Sequence, residues 1–155
     1  GLSLVLKGDG PEEQEMKSLA ASSGLGRSVT FRERSSHADV PGNLRAADIF
    51  ISTATSDGTP VSVLEAMSTG LPCIATRVGG VPEWIEDGVT GLLIPPRNPA
   101  ALSRAILTLA SDQGLRERLG TRAREAVRER GDWGRLMVQV EDDYKGLISR
   151  AGGMR

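Results

Sequence analysis

Apolar residues fall into short β-branched runs separated by longer stretches of helical period, an alternation that predicts a parallel α/β sheet with flanking helices. Leu2 to Leu6 reads as a strand, closed by the turn Gly8-Asp9-Gly10-Pro11. Glu12 to Ser22 reads as a helix, with acids in its first turn facing the positive end of the helix dipole and Gly24 near its stop. Val29-Thr30-Phe31 is a second strand, followed by a polar loop through Ser35-Ser36-His37, a short helix over Pro41 to Ala46 and a third strand, Ile49 to Ser52. Ser56-Asp57-Gly58-Thr59-Pro60 turns the chain into a helix from Val61 to Thr69, stopped by Gly70. A fourth strand, Cys73-Ile74-Ala75, leads to the Gly79-Gly80 loop and a short helix from Pro82. Thr90 to Ile94 is the last strand, ahead of Pro95-Pro96. Beyond Pro99 the composition shifts to Ala, Leu and Arg, predicting three helices at 99–110, 113–130 and 133–149, then a frayed tail over 151–155. The expected organisation is one α/β domain over 1–150 with a helical C-terminal segment.

Composition then removes function classes. A chain of 155 residues with 39% hydrophobic and 25% charged positions suits one domain able to bury a core. Nineteen Lys+Arg against 20 Asp+Glu give a net charge of −1, so no global basic field exists to hold nucleic acid. Aromatic content of 3% leaves little for stacking bases. Cys73 is the single cysteine and His37 the single histidine, which removes a disulfide framework and a Cys-based metal cluster. His37 sits in a polar loop with no nucleophile beside it and is given no role. No apolar run approaches the roughly 20 residues that span a bilayer, so the expected location is cytoplasmic. The chain opens on Gly1 directly in a strand-like run, as expected of an excised domain.

One stretch carries chemistry. Glu65 stands inside an apolar helix among Val63, Leu64, Ala66 and Met67, where a carboxylate is rare unless it is paired or serves a ligand. Asp57 lies in the loop feeding that helix, so both carboxylates can border a cleft at the carboxyl edge of the sheet, where open α/β sheets bind ligands. Between them the amides of the helix N-terminus suit a phosphate, and a diphosphate flanked by acceptors for sugar or ribose hydroxyls fits the set. The residues alone equally allow a plainer reading, with Asp57 as a cap or turn acid and Glu65 paired with a surface Arg. Gly8 and Gly10 allow close approach of a ligand, though a strand-to-helix turn is the simpler account. Gly79-Gly80 before Pro82-Glu83 reads either as backbone donors at a cleft or as an ordinary helix start. Cys73 reads as a buried small hydrophobe, and the Arg-rich run from Arg116 to Arg130, interleaved with Glu117, Glu125 and Glu129, as a solvated helix face.

Six segments occur in an order that resembles the family 4 (group 1) glycosyltransferases: Gly8-Asp9-Gly10-Pro11, Ala47-Asp48-Ile49-Phe50-Ile51, Asp57-Gly58 with Leu64-Glu65-Ala66-Met67, Gly70 to Thr76, Gly79-Gly80-Val81-Pro82-Glu83, and Asp87-Gly88 with Thr90-Gly91-Leu92-Leu93. The set covers nearly the whole chain and, with Trp133 in the last segment, is similar to the C-terminal, donor-binding lobe of a GT-B enzyme. The resemblance implies a retaining hexosyltransferase-type enzyme that takes a sugar from a nucleotide diphosphate, with no metal or other cofactor. It places Asp57 near the sugar, as the catalytic position, Glu65 on the ribose hydroxyls, and the backbone of Gly58, Thr59, Pro60, Val61 and Ser62 against the phosphates. Gly8, Gly10 and Arg32 are assigned to the donor on the same ground. The family's first acid is usually Glu and is Asp57 here; a frequent Ser is Ala54; a frequent Gly near the nucleobase is Glu33, between Arg32 and Arg34. The basic pair that clamps the diphosphate and the acceptor lobe precede the matching segments in that family, so the isolated chain is expected to be inactive and to need that N-terminal lobe as its partner. Membrane association of a longer protein, at the inner face, stays open. Rival readings are a non-catalytic nucleotide-sugar or partner-binding module and a GT-B-related nucleotide-sugar epimerase or hydrolase.

Overall fold

The computed structural model describes residues 1–34, 36–58 and 60–131, together with 134, 137, 138, 141–143 and 145. They form two compact units, Gly1–Ala46 and Ala47–Arg155. In the first, strands β1 (Leu4–Lys7) and β2 (Val29–Arg32) pair in parallel, from Leu4 opposite Val29 to Lys7 opposite Arg32. Parallel neighbours need a long return, and helix α1 (Glu13–Ser22) supplies it. The Lys17 ammonium bonds the Glu13 carboxylate one turn back at 2.5 Å and sits 5.7 Å from the Phe31 ring centre, tying α1 to β2. A single 3-10 turn, His37–Asp39, then runs into helix α2 (Val40–Arg45). The sequence reading had only a loop at His37; the turn forms because the Ser36 carbonyl accepts from the Asp39 N–H at 3.0 Å while the Ser36 hydroxyl bonds the Asp39 carboxylate at 2.6 Å. Leu4, Val5, Leu19 and Leu25 of this unit are all 40% exposed or more, and α1 buries no residue.

The second unit holds the core. Strands β3 (Phe50–Ser52), β4 (Cys73–Thr76) and β5 (Leu92–Ile94) form a parallel sheet in the order β3-β4-β5. Central β4 is buried at every position, which is why its side chains are short and mostly apolar with no alternation. Helices α3 (Val61–Ser68) and α4 (Val81–Trp84) make the crossovers, and α5 (Pro99–Ser111) and α6 (Gln113–Arg130) follow. Ile74 and Ile94 of the sheet, Ala105 and Leu109 of α5 and Leu119 of α6 form one cluster, joined by the partly buried Ile51, Leu102, Ile106 and Leu115.

The helix boundaries follow from local chemistry. Asn98 Oδ1 accepts the Ala101 N–H at 2.9 Å to start α5, with Pro99 in the first turn where no N–H is needed. Asp112 does the same for α6 through the Leu115 N–H at 2.8 Å. Arg116 reaches back from α6 and donates to the Leu109 carbonyl at 2.6 Å and that of Ala110 at 3.3 Å, satisfying carbonyls at the end of α5. Gly120 of α6 lies so close to the Gly70 carbonyl, in the turn after α3, that a Cβ there would overlap it.

The predicted alternation of strands and helices is present, with boundaries moved by one or two residues. Helices at 99–110 and 113–130 are found as α5 and α6; of the third, 133–149, the described positions 134, 137, 138, 141–143 and 145 are helical, while the rest of it and the tail over 151–155 lie outside the described residues. Among the described residues no helix is long and apolar enough to cross a membrane.

Two predictions test this packing. Leu109→Ala, at a fully buried position, is expected to cost about 2–5 kcal/mol in urea unfolding. Burial pushes the Cys73 thiol from 9.0 up to about 12, so the folded chain keeps it protonated where the unfolded chain ionises. Its contribution is complete below pH 9.0 and is lost as pH rises towards about 12. Unfolding free energies measured across that window should fall more steeply for the parent chain than for Cys73→Ala; equal slopes would contradict the burial.

Candidate functional site

At the carboxyl edge of the second unit's sheet, the chain leaves β3 at Ser52, runs through an acidic loop and enters α3 at Val61. Pro60 occupies the position before the helix, with no side-chain cap, so Asp57 is not the N-cap that the plainer sequence reading allowed. Proline has no N–H, and the first-turn amides of α3, from Val61 to Val63, have no partner within the helix. Val63, Ala66 and Met67 form the buried face of α3, while Val61 and Ser62 are exposed. Glu65 follows these two by four and three positions, which places it on their side of the helix. It is half-buried, at the rim of the core. A carboxylate in this apolar stretch is thus accounted for: Val63, Ala66 and Met67 point inwards, while Glu65 lies on the side of Val61 and Ser62. Asp57 is also half-buried. Thr59, assigned to the phosphates from sequence, lies outside the described residues.

The segment after β4 holds the acidic loop in place. The Gly80 N–H donates to the Asp57 carbonyl at 3.0 Å, and the Thr76 hydroxyl donates to the Ala54 carbonyl at 2.5 Å. A Cβ on Gly79 would overlap the Asp57 carbonyl, and one on Gly80 the Gly58 carbonyl. Gly79 also has φ +49, a region side chains disfavour. The helix-start reading of this glycine pair is found, with Gly80 at the position before α4 and Pro82 and Glu83 in its first turn, but neither reading contained this close approach. The neighbouring turn is closed by Asp87, whose carboxylate accepts from the Leu93 N–H at 2.9 Å and the Arg77 guanidinium at 3.1 Å. Thr90 accepts the Glu86 N–H at 2.8 Å. Arg130 stacks its guanidinium 4.8 Å from the Trp84 ring centre, so Arg130, like Arg116, is more than a solvated cation.

Gly8, Gly10 and Arg32 belong to the first unit. Gly8 has φ +145 and donates its N–H to the Arg32 carbonyl at 3.1 Å, joining the ends of β1 and β2. Neither Gly8 nor Gly10 has a protein atom within 4 Å of where a Cβ would sit, so the space beside them is open. Arg32, with Lys7, Glu33, Asp39 and Asn43, lines a cleft of about 450 Å³. Glu33 therefore occupies a cleft wall where the related pattern has glycine. His37 is exposed and Cys73 is buried.

The sequence profile of the glycosyl transferases group 1 family matches residues 1–126. The chain belongs to that family. It is 33% identical over 145 residues to the N-acetyl-alpha-D-glucosaminyl L-malate synthase of Bacillus anthracis, covering 94% of this chain and 38% of that protein. It is 31% identical over 131 residues to the D-inositol 3-phosphate glycosyltransferase of Streptomyces bingchenggensis, covering 84% of this chain and 29% of that one. HepE of Anabaena, solved in complex with UDP-glucose, superposes with a TM-score of 0.84 at 25% identity, over 93% of this chain and 41% of its own. The chain thus spans about a third of the curated relatives it matches. Its Rossmann-like parallel α/β architecture, with flanking helices, is the one shared with these GT-B glycosyltransferases.

Thr76 was absent from the sequence assignments; its signal was a hydroxyl ending an otherwise apolar strand. The close approach makes Gly80→Ala informative, since its φ of −79 is ordinary and only the added methyl matters. We expect a cost of about 1–3 kcal/mol in thermal unfolding, with shifted amide resonances at Asp57 and Gly58. In Gly114→Ala, where the nearest atom is 3.5 Å away, the same methyl should be neutral or stabilising by up to about 1 kcal/mol.

Proposed function

We propose that this group 1 glycosyltransferase chain is the donor-binding lobe of a retaining, hexosyltransferase-type enzyme that moves a sugar from a nucleotide diphosphate to an acceptor hydroxyl. The observation that carries the reading is the union of Asp57, the first-turn amides of α3 and Glu65 in one loop and helix at the carboxyl edge of a parallel sheet. Phosphate oxygens are acceptors only, and the first-turn amides of α3, preceded by the Gly58 and Pro60 backbone, are donors only. Ribose hydroxyls donate, and the Glu65 carboxylate, on the same side of α3 as Val61 and Ser62, accepts.

In the reaction, the bond between the anomeric carbon and the diphosphate oxygen breaks and the electron pair leaves with the diphosphate. The acceptor oxygen bonds that carbon, and its proton passes to the departing diphosphate oxygen, which has gained the electron pair. Charge grows on the diphosphate as it departs, so donors already aimed at it favour the transition state over the ground state. Positive charge grows on the anomeric carbon as that bond breaks, and the Asp57 carboxylate supplies the opposing negative charge on the sugar side. Gly8, Gly10 and Arg32 are assigned to the donor by family resemblance alone, and no metal is required in this scheme. That Anabaena HepE was solved with UDP-glucose supports a nucleotide-sugar donor for the family member described here. The isolated chain binds without turnover in this reading, the acceptor being held by a lobe that the longer relatives carry.

Calorimetric titration with UDP-, GDP- and ADP-linked sugars tests it. One nucleotide class should bind, and Glu65→Ala should weaken it at least about tenfold, the scale of a lost hydrogen bond to a charged group. A folded chain that binds none of them, or equal affinity in Glu65→Ala, would sink the assignment. Adding EDTA should leave the affinity unchanged; a loss restored by Mg²⁺ would overturn the metal-free part.

A further inference from the structure

We infer that Thr76 is a positioning residue whose hydroxyl sets the acidic loop, acting on Asp57 through the Ala54 carbonyl. The inference deepens the donor-lobe reading and rests on it for its functional consequence. The backbone ladder between β3 and β4 ends at the pair Ser52 and Ala75. Beyond that pair the two chains would part, yet they stay together for several residues through two bonds of different kinds. Thr76, buried at the end of β4, donates its hydroxyl to the Ala54 carbonyl at 2.5 Å, and Gly80 donates its N–H to the Asp57 carbonyl at 3.0 Å. The side-chain bond stands where the next ladder bond would be. On its other side, β4 continues to pair in the ordinary way: the Arg77 N–H donates to the Ile94 carbonyl at 2.8 Å. Thr76 therefore anchors the acidic loop alone, without contributing to the β5 side of the sheet through its hydroxyl.

A hydroxyl in this place has a chemical reason. Ala54 is half-buried, and its carbonyl is costly to leave without a donor. Serine retains the donor; valine keeps the shape and removes it. Without the bond, the stretch from Ala54 to Asp57 is held at one end only, by Gly80, and the Asp57 carboxylate samples a wider volume, which weakens a ligand that needs it in one place.

Amide hydrogen exchange by NMR on Thr76→Val and Thr76→Ser decides the matter, because the Gly80 and Arg77 amides report on opposite sides of β4. In Thr76→Val the Gly80 amide should exchange about tenfold faster, the size of one neutral hydrogen bond, while the Arg77 amide keeps its rate. Thr76→Ser should restore the Gly80 rate. Equal acceleration of both amides would mean a general structural role and overturn the inference, as would no change at Gly80. The same variants titrated with the UDP-, GDP- and ADP-linked sugars read the functional half. Weaker donor binding in Thr76→Val, rescued in Thr76→Ser, supports it, and unchanged affinity despite a loosened Gly80 amide overturns it. If the parent chain binds none of the three donor classes, the donor-lobe reading fails and takes the functional half with it; the exchange result still decides whether Thr76 holds the loop.

Discussion

At the carboxyl edge of the three-stranded sheet, two stretches of backbone run closer together than side chains permit. Gly79 and Gly80 face the carbonyls of Asp57 and Gly58 with bare Cα atoms, and any Cβ there would displace one chain or the other. The position of the acidic loop, the direction in which α3 starts and the location of Asp57 all follow from that approach. The same device recurs around β4. Gly91 packs on the Cys73 carbonyl and Ile85, and Gly120 packs on Gly70, bringing α6 up to the turn that follows α3. Glycine buys this proximity at the cost of chain entropy, which the fully buried β4 and the cluster around Leu109 offset.

Much of this was legible in the chain. The run from Cys73 to Ala75 declared a buried strand, and Asn98-Pro99 declared the start of α5, because burial on both faces and capping each leave a local mark. Glu65 was picked out as the one charge in an apolar helix, correctly as a position needing explanation. What could not be read were effects acting between distant segments. Asp57 failing to cap α3, Thr76 reaching Ala54, Arg116 closing the end of α5 and Arg130 covering Trp84 depend on which loops meet, and periodicity carries no such information. Gly79-Gly80 shows the limit well: glycine announces that something comes close, without saying whether it is a ligand or the protein's own backbone.

The assigned residues divide between the two units in a chemically uneven way. The second unit carries carboxylates and first-turn helix amides beside a packed sheet, so these groups have fixed places. The first unit carries Arg32 in a cleft lined by charged and amide side chains, on strands and a helix that bury little. Groups on such a scaffold lose more of any binding energy to ordering than those on α3 do.

Cys73 adds a consequence of another kind. The chain's only thiol lies buried inside β4 and stays protonated at neutral pH. Thiolate attack on peroxide or on a disulfide needs both ionisation and access, and the folded chain denies it both. The chain therefore forms no thiol-linked dimer while folded, and the loop that β4 positions is indifferent to the redox poise around it.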